Sequence, residues 1–273
     1  MEATSTMREV TEHRPGSFCW IELGTSDAEG AKKFYRQLFG WGINDVPMES
    51  EGFYTLLQID GKDIAGLYQL QEQQRAQGIP PHWLLYISVV SADESAKAAA
   101  SLGGKVLMEP FDVFDIGRMA IAQDPTGATF ALWQPKKHIG SRLVNQPNTF
   151  CWGELATNDV DAASAFYTQL LGWSAELHQL EPVKYIIVKN GDQQIGGMLA
   201  MTAEWGDIPP HWMIYFAVED CDSSVEKAKE LGAEIKVPPT DVPDVGRFAV
   251  IQDPQGAVFS IIKLIHQAGC ESV

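Results

Sequence analysis

The pattern of hydrophobic and polar residues predicts a series of strands and helices, and the same series occurs twice along the chain. Residues 18–23 alternate as a β-strand does, and an amphipathic stripe with helical spacing comes next. The stripe is formed by Ala31, Phe34, Tyr35, Leu38 and Phe39. Asp27 has the chemistry of a helix N-cap and Gly40 that of a helix end, so the pattern predicts a strand followed by a helix.

Shorter apolar runs predict the strands that follow this helix, and then a second unit of the same plan. Strand-like runs lie at 53–59 and 64–69. The second unit has a strand at 83–89, an Ala-rich helix at about 93–102 and strands at 106–110, 119–123 and 129–134. Its last two strands are joined by the turn Asp124-Pro125-Thr126-Gly127, in which Pro presets φ and Gly closes the turn.

The whole pattern is repeated in a second copy. Residues 18–23 recur at 150–155, an offset of 132 (150 − 18), and residues 79–83 recur at 208–212, an offset of 129 (208 − 79). The second copy has therefore lost three residues (132 − 129) between Trp173 and Ile208. A period this long indicates a duplicated domain and not a solenoid, whose repeats are about 20–50 residues long.

The repeat predicts the domain organisation. We expect a first domain at 16–136, with units 16–69 and 80–136, and a second at 148–266, with units 148–201 and 208–266. The polar segment 137–147 joins them as a linker, and residues 1–15 and 267–273 are predicted to be tails, the first of them flexible.

Composition and charge narrow the functional classes. The net charge is −16, from 20 basic and 36 acidic residues, which argues against a nucleic-acid partner. No apolar run approaches the roughly 20 residues that span a bilayer, and residues 1–15 do not resemble a secretory signal. The four cysteines are not spaced as metal ligands, so we expect reduced thiols in a cytoplasmic protein without a membrane partner.

Four strand–helix–strands units with a Phe-Tyr…Gly-Trp helix end and an Asp-Pro-x-Gly turn resemble the vicinal oxygen chelate superfamily, which includes glyoxalases, bleomycin-resistance proteins and extradiol dioxygenases. The resemblance covers about residues 16–136 and 148–266. It implies an α+β fold in which four βαβββ modules form two cup domains, one in each copy. It does not select an activity, because one fold carries many functions.

The resemblance also implies a divalent metal in each cup, and this sequence departs from the pattern of ligands. The positions of the family's ligands fall on Trp20, Leu84 and Ala131 in the first copy and on Trp152, Met213 and Ser260 in the second. These side chains are poor or impossible ligands for the metals concerned. We therefore expect neither a metal nor another cofactor.

Strand alternation predicts what the cups contain instead. On the first strand, Cys19, Ile21 and Leu23 are expected to pack on the helix, which leaves Phe18, Trp20 and Glu22 inward. In the second unit, His82, Leu84 and Tyr86 face the cup. Met119 and Ile121 are expected to face the helix, so Arg118 leans inward or lies at the rim. The corresponding residues of the second copy are Phe150, Trp152, Glu154, His211, Met213, Tyr215 and Arg247.

These residues form the candidate site. Glu22, Glu154, His82 and His211 are the candidate catalytic residues, since a desolvated carboxylate or an imidazole can move a proton near neutral pH. The candidate ligand contacts are Trp20, Tyr86, Arg118, Trp152, Tyr215 and Arg247.

Structural alternatives stay open beside each role. Trp20 and Trp152 either plug their cups or stack on a ligand. His82 and His211 either contact a ligand or only cap the strands that they begin. Glu22 and Glu154 either act as bases, or are exposed or paired with Arg118 and Arg247. Trp41, Trp83 and their counterparts are expected in the core.

The sequence therefore favours a protein that binds a small organic molecule in aromatic cups without the usual metal triad. One alternative is a lyase, isomerase or hydrolase that uses Glu/His acid–base chemistry. The other is a metal-dependent glyoxalase or dioxygenase. The chain is expected to be a monomer or a homodimer.

Overall fold

A computed structural model describes residues 8–48, 52–180 and 183–265. The strands of the first copy are β1 (Phe18–Thr25), β2 (Gly42–Pro47), β3 (Phe53–Ile59), β4 (Lys62–Gln69), β5 (His82–Ser88), β6 (Lys105–Val113), β7 (Gly117–Gln123) and β8 (Thr129–Pro135). Its helices are α1 (Ala28–Phe39), the short α2 (Glu72–Ala76) and α3 (Ala92–Ser101).

The second copy repeats this order with small changes. Its strands are β9 (Phe150–Thr157), β10 (Ser174–Leu180), β11 (Val183–Asn190), β12 (Gln193–Ala200), β13 (His211–Ala217), β14 (Glu234–Val242), β15 (Gly246–Gln252) and β16 (Val258–Leu264). Its helices are α4 (Val160–Leu171) and α5 (Cys221–Glu230), with a 3₁₀ turn at Ala203–Trp205 in place of α2. Within the described ranges, no helix has the length and hydropathy needed to cross a membrane.

Both units of one copy share a single sheet. The first sheet has eight strands in the order β2-β3-β4-β1-β5-β8-β7-β6, and the second has the equivalent order. The two units meet where β1 pairs antiparallel with β5. The predicted α+β fold, with two strand–helix–strands units in each of two tandem domains, is confirmed.

The helices lie on one face of each sheet, and that face contributes to a core shared by both copies. Tyr35 of α1 donates a 2.8 Å hydrogen bond to Asp253 in the Asp-Pro-x-Gly turn of the other copy, and Tyr167 of α4 donates one of 3.1 Å to Asp124. Trp83 Nε1 in turn donates to the Tyr35 hydroxyl. This reciprocal pair of hydrogen bonds joins the two domains. The predicted core positions of Trp41, Trp83 and their counterparts are confirmed.

Two edge strands were not predicted from the sequence. β2 carries mostly exposed side chains, and β10 lies at the equivalent edge of its sheet. Strands at a sheet edge do not need the alternation of apolar residues that identifies a half-buried strand. The strands predicted at 53–59 and 64–69 and both long helices agree with β3, β4, α1 and α3.

The segments predicted as tail and linker are packed against the first domain. Residues 1–7 and 267–273 lie outside the described residues, but in the segment 8–15 the Val10 amide donates to Arg142 O and His13 Nε2 lies 2.7 Å from Ser141 O. Glu9 forms ion pairs with Lys62 and Arg142. Residues 8–15 of the predicted tail therefore have backbone and charge partners in the first domain and the linker, and their flexibility stays a prediction.

Candidate functional site

The candidate site of each domain is the sheet face turned away from the helices, called here the cup face. In the first domain this face carries a separate buried cluster. Its members are Cys19, Trp20, Leu84, Tyr86, Met119, Ala131 and Trp133. The predicted inward positions of Trp20, Leu84 and Tyr86 agree with this cluster.

A hydrogen-bonded group at the centre of the first cup joins one carboxylate to two phenols. Glu22 on β1 accepts from Tyr54 Oη at 2.6 Å and from Tyr86 Oη at 2.9 Å. Trp20 Nε1 lies 3.2 Å from the Tyr54 hydroxyl and donates to it. Each carboxylate oxygen thus has its own donor, on strands β3 and β5 that flank β1 and β4.

The second cup contains the same group. Glu154 accepts from Tyr185 Oη at 2.9 Å and from Tyr215 Oη at 2.8 Å, and Trp152 Nε1 donates to Tyr185 Oη at 3.2 Å. The alternative that Glu22 and Glu154 pair with arginines is therefore wrong. The structure shows that the carboxylates are bound by tyrosines.

Tyr54 and Tyr185 were not identified from the sequence. Their offset is 131 (185 − 54), which differs from both offsets seen in the aligned motifs. The second copy has thus lost one residue before β11 and the other two before β13. Tyr54 and Tyr185 lie between these two deletions, so neither offset aligns them. A glycine on the neighbouring strand was a further signal: a Cβ at Gly66 or Gly197 would overlap the hydroxyl of Tyr54 or Tyr185.

Burial sets the protonation of this group. Burial raises the pKa of Glu22 and of Glu154, although the hydrogen bonds from the tyrosines act in the opposite direction. Burial and the adjacent carboxylate raise the pKa of Tyr86 and Tyr215, so these phenols keep their protons and donate. A carboxyl group with a raised pKa in an apolar cup is able to take up a proton, which is the property of a general base.

Phe18 and Phe150 do not face the cups. Phe18 packs edge-to-face on Phe150, Trp173 and Trp212 in the core between the copies. The pairing of β1 with β5 shifts register between Phe18 and Trp20, so Cys19 and Trp20 both lie with the cup cluster. The predicted inward position of Phe18 is wrong because this bulge breaks the alternation.

Arg118 and Arg247 also face away from the cups. Arg118 forms a bidentate pair with Asp93 of α3, at 2.7 and 2.9 Å, and Arg247 forms the same pair with Asp222 of α5, at 2.8 and 2.9 Å. Met119 lies in the cup cluster and Ala120 in the core. The predicted orientation of β7 was inverted, since small alanines and not the larger residues pack under the helix. The orientation of the two arginines therefore does not support the expected ligand contacts.

His82 and His211 begin β5 and β13 at the rim. In each, Nδ1 lies 2.8 Å from the carbonyl oxygen two residues earlier, of Pro80 or Pro209. This contact agrees with the strand-capping alternative. Neither imidazole hydrogen-bonds to Glu22 or Glu154, so their catalytic role stays a prediction.

The linker closes the first cup. The His138 ring packs edge-to-face on Trp20 at 4.8 Å, and its backbone oxygen accepts from Trp133 Nε1 at 3.0 Å. Ser141 then bonds to Cys19 O and Ile64 O. Trp20 is only 6% exposed as a result. In this cup the packing favours the alternative that the tryptophan fills the space.

The second cup is more open. Trp152, Met213 and Phe248 are half-buried, whereas Trp20, Leu84 and Met119 in the equivalent positions are buried. The residue equivalent to His138 is 267 (138 + 129), which lies outside the described residues. Two surface concavities lie along α1. One is lined largely by charged side chains such as Glu29 and Arg36, and the other also contacts Glu230 and Pro254 of the second copy, so neither belongs to a cup.

The residues at the family's metal positions do not fit a metal. Tyr86 pairs with Ala131 and Tyr215 with Ser260, which brings Trp20, Leu84 and Ala131, and their counterparts, together on the cup faces. Within the described residues, no group of three or more His, Cys, Asp or Glu side chains has the geometry to hold a metal ion. The donor atoms of a chelate centre are thus lacking at these positions.

Comparison with known proteins shows the family. The family model described as "Glyoxalase/Bleomycin resistance protein/Dioxygenase superfamily" matches residues 17–132 and 146–261. The chain belongs to this superfamily and carries two tandem copies of its domain.

Among its relatives are "Putative glyoxylase CFP32" of Mycobacterium bovis, 40% identical over 94% of this chain and 98% of the relative, and "Anthracycline biosynthesis protein DnrV" of Streptomyces peucetius, 35% identical over 93% and 96%. The Mn(II)-bound glyoxalase from Novosphingobium aromaticivorans has the same fold, with a TM-score of 0.64 and 16% identity over 93% of this chain and 83% of that one.

Proposed function

We propose that this protein binds a small organic molecule on the cup face of its second domain, without the metal triad of the superfamily. The observation that carries the proposal is the half-open cup around Trp152, in which an aromatic wall surrounds the Glu154–Tyr215–Tyr185 group. Apolar walls with a few converging polar groups are the usual composition of a small-ligand site. The first cup has the same group but is covered by the linker.

Aromatic ligands suit this site best. The Trp152 indole is half-buried and offers an aromatic surface in this cup, and aromatic pairs gain energy beyond the area that they bury. One relative is named for anthracycline biosynthesis, so an anthracycline is a reasonable first probe together with smaller aromatic compounds.

The test is calorimetric titration of a panel of aromatic compounds into the wild type and two matched variants. Trp152→Leu should weaken binding by about tenfold or more, as for a central aromatic contact, and Trp20→Leu should leave binding unchanged. Circular dichroism checks that both variants are folded. Failure of the whole panel to bind would overturn the proposal, and an equal loss in Trp20→Leu would move the site to the first cup.

A second function is supported by the burial that raises the pKa of Glu154. A small-molecule enzyme of the lyase, isomerase or hydrolase type would use this carboxylate as general base. Turnover of a bound ligand, lost in Glu154→Gln but kept in Glu22→Gln, would support an enzyme. Binding without any conversion of the ligand would support a binding protein.

A further inference from the structure

Ser260 is the polar residue of the second cup that the functions above do not use. It lies on β16 between Phe259 and Ile261, which both pack in the core shared by the domains. Since side chains alternate along a strand, Ser260 faces the cup. It is paired with Tyr215 of β13, whose hydroxyl binds Glu154.

The hydroxyl of Ser260 is fully buried and has no hydrogen-bond partner within the described ranges of the chain. It acts on the Tyr215 hydroxyl as a weak hydrogen-bond donor would and so lowers the pKa of that phenol against the larger effect of burial, but the contact does not meet the geometry of a hydrogen bond. Buried polar groups are nearly always paired, because an unpaired one costs about 1–3 kcal/mol.

The polar groups at the centre of the cup are engaged with one another. Trp152 Nε1 donates to Tyr185, and the hydroxyls of Tyr185 and Tyr215 donate to the two oxygens of Glu154. Among the polar groups at the centre of this cup, the Ser260 hydroxyl is thus the one without a hydrogen-bond partner in the part of the chain that the structure describes. A hydroxyl group both donates and accepts, so it can bind either a hydroxyl or a carbonyl oxygen.

The first cup provides an internal comparison. The equivalent position, 131 (260 − 129), is Ala131, which is buried beneath the cover formed by the linker. The closed cup thus has no polar atom here, and the open cup has one without a partner.

We infer that Ser260 binds a ligand oxygen, so the second cup selects aromatic compounds with a hydroxyl or carbonyl group on the ring that packs against Trp152. The inference rests on the proposed function of this cup. An anionic ligand is disfavoured because the Glu154 carboxylate lies beside the same tyrosine.

The experiment compares 2-naphthol with naphthalene, which has the same rings without the hydroxyl. Affinities are measured by quenching of tryptophan fluorescence in the wild type, Ser260→Ala and the matched control Ala131→Ser. We expect the wild type to prefer 2-naphthol by about 3- to 10-fold, the value of one net hydrogen bond. Ser260→Ala should lose this preference and keep its affinity for naphthalene, and Ala131→Ser should behave as the wild type.

A second measurement separates binding from folding. Removal of an unpaired buried hydroxyl should leave the melting temperature of the free protein unchanged or higher. If both naphthalenes bind and Ser260→Ala keeps the preference, the role of Ser260 is overturned while the proposed function stands. If neither compound binds the wild type, the inference fails, and the broader ligand panel then decides the proposed function.

Discussion

The two cups of this chain share their polar centre and differ in what covers it. Glu, two Tyr and a Trp are arranged identically in both, with matched glycines beside the tyrosines. The first cup lies under the linker, with His138 against Trp20, whereas Trp152 in the second is half-buried. The two copies of the domain thus differ in what packs over the cup and agree in its polar centre.

The largest test of this difference is truncation of the two tryptophans. Trp20→Ala removes a side chain packed on all sides and should lower the free energy of unfolding by about 3–5 kcal/mol. Trp152→Ala should cost less, because part of its side chain is exposed to water. Urea unfolding of both variants measures this, and equal losses would mean that the two cups are equally closed.

The contacts between the domains should behave symmetrically. Tyr35→Phe and Tyr167→Phe each remove a donor to a buried Asp and an acceptor for a Trp indole. Each should lower the free energy of unfolding by about 1–3 kcal/mol, and by similar amounts. A large difference in thermal or urea unfolding would show that the asymmetry of the cups extends into the shared core.

The cover of the first cup should respond to acid. Burial lowers the pKa of His138, while Asp63 acts in the opposite direction and His13 adds to the lowering. The unfolded chain then binds the proton more readily, so stability is complete above the unfolded pKa of about 6.5 and falls as the pH decreases below it.

His138→Ala should reduce the slope of the free energy of unfolding against pH, which urea unfolding between pH 5 and 8 measures. It should also increase the quenching of Trp20 fluorescence by acrylamide. The matched Trp20→Phe variant identifies the Trp20 signal. An unchanged slope in His138→Ala would exclude His138 as its source.

The smallest effect should be common to both cups. The pKa values of Glu22 and Glu154 are raised, so their contribution to stability is complete below the unfolded pKa of about 4.3 and is lost as the pH rises through the folded value. Glu22→Gln and Glu154→Gln should each remove part of this decline. Carboxyl titration by infrared spectroscopy checks the direction of the pKa shift in each cup. A normal glutamate pKa in one cup alone would show that the two polar centres differ.

Local patterns predicted the repeated elements well because they depend on neighbours in sequence. The stripe from Ala31 to Phe39 identified α1, and Asp27 and Gly40 do cap it. The inward positions of Trp20, Leu84 and Tyr86 followed from alternation in regular parts of β1 and β5. The same rule failed at Phe18, where a bulge shifts the register, and on β7, where both faces are apolar.

The sequence alone determined the duplicated α+β fold, the family and the lack of metal donors at the family's ligand positions, since each depends on motifs that a linear comparison can align. Only the tertiary structure decided that Tyr54 and Tyr185 bind the glutamates, that Arg118 and Arg247 turn to the helices, and that residues 8–15 and the linker pack on the first domain. These contacts join residues far apart in sequence, and their geometry exists only once the strands have curled and the two copies have packed.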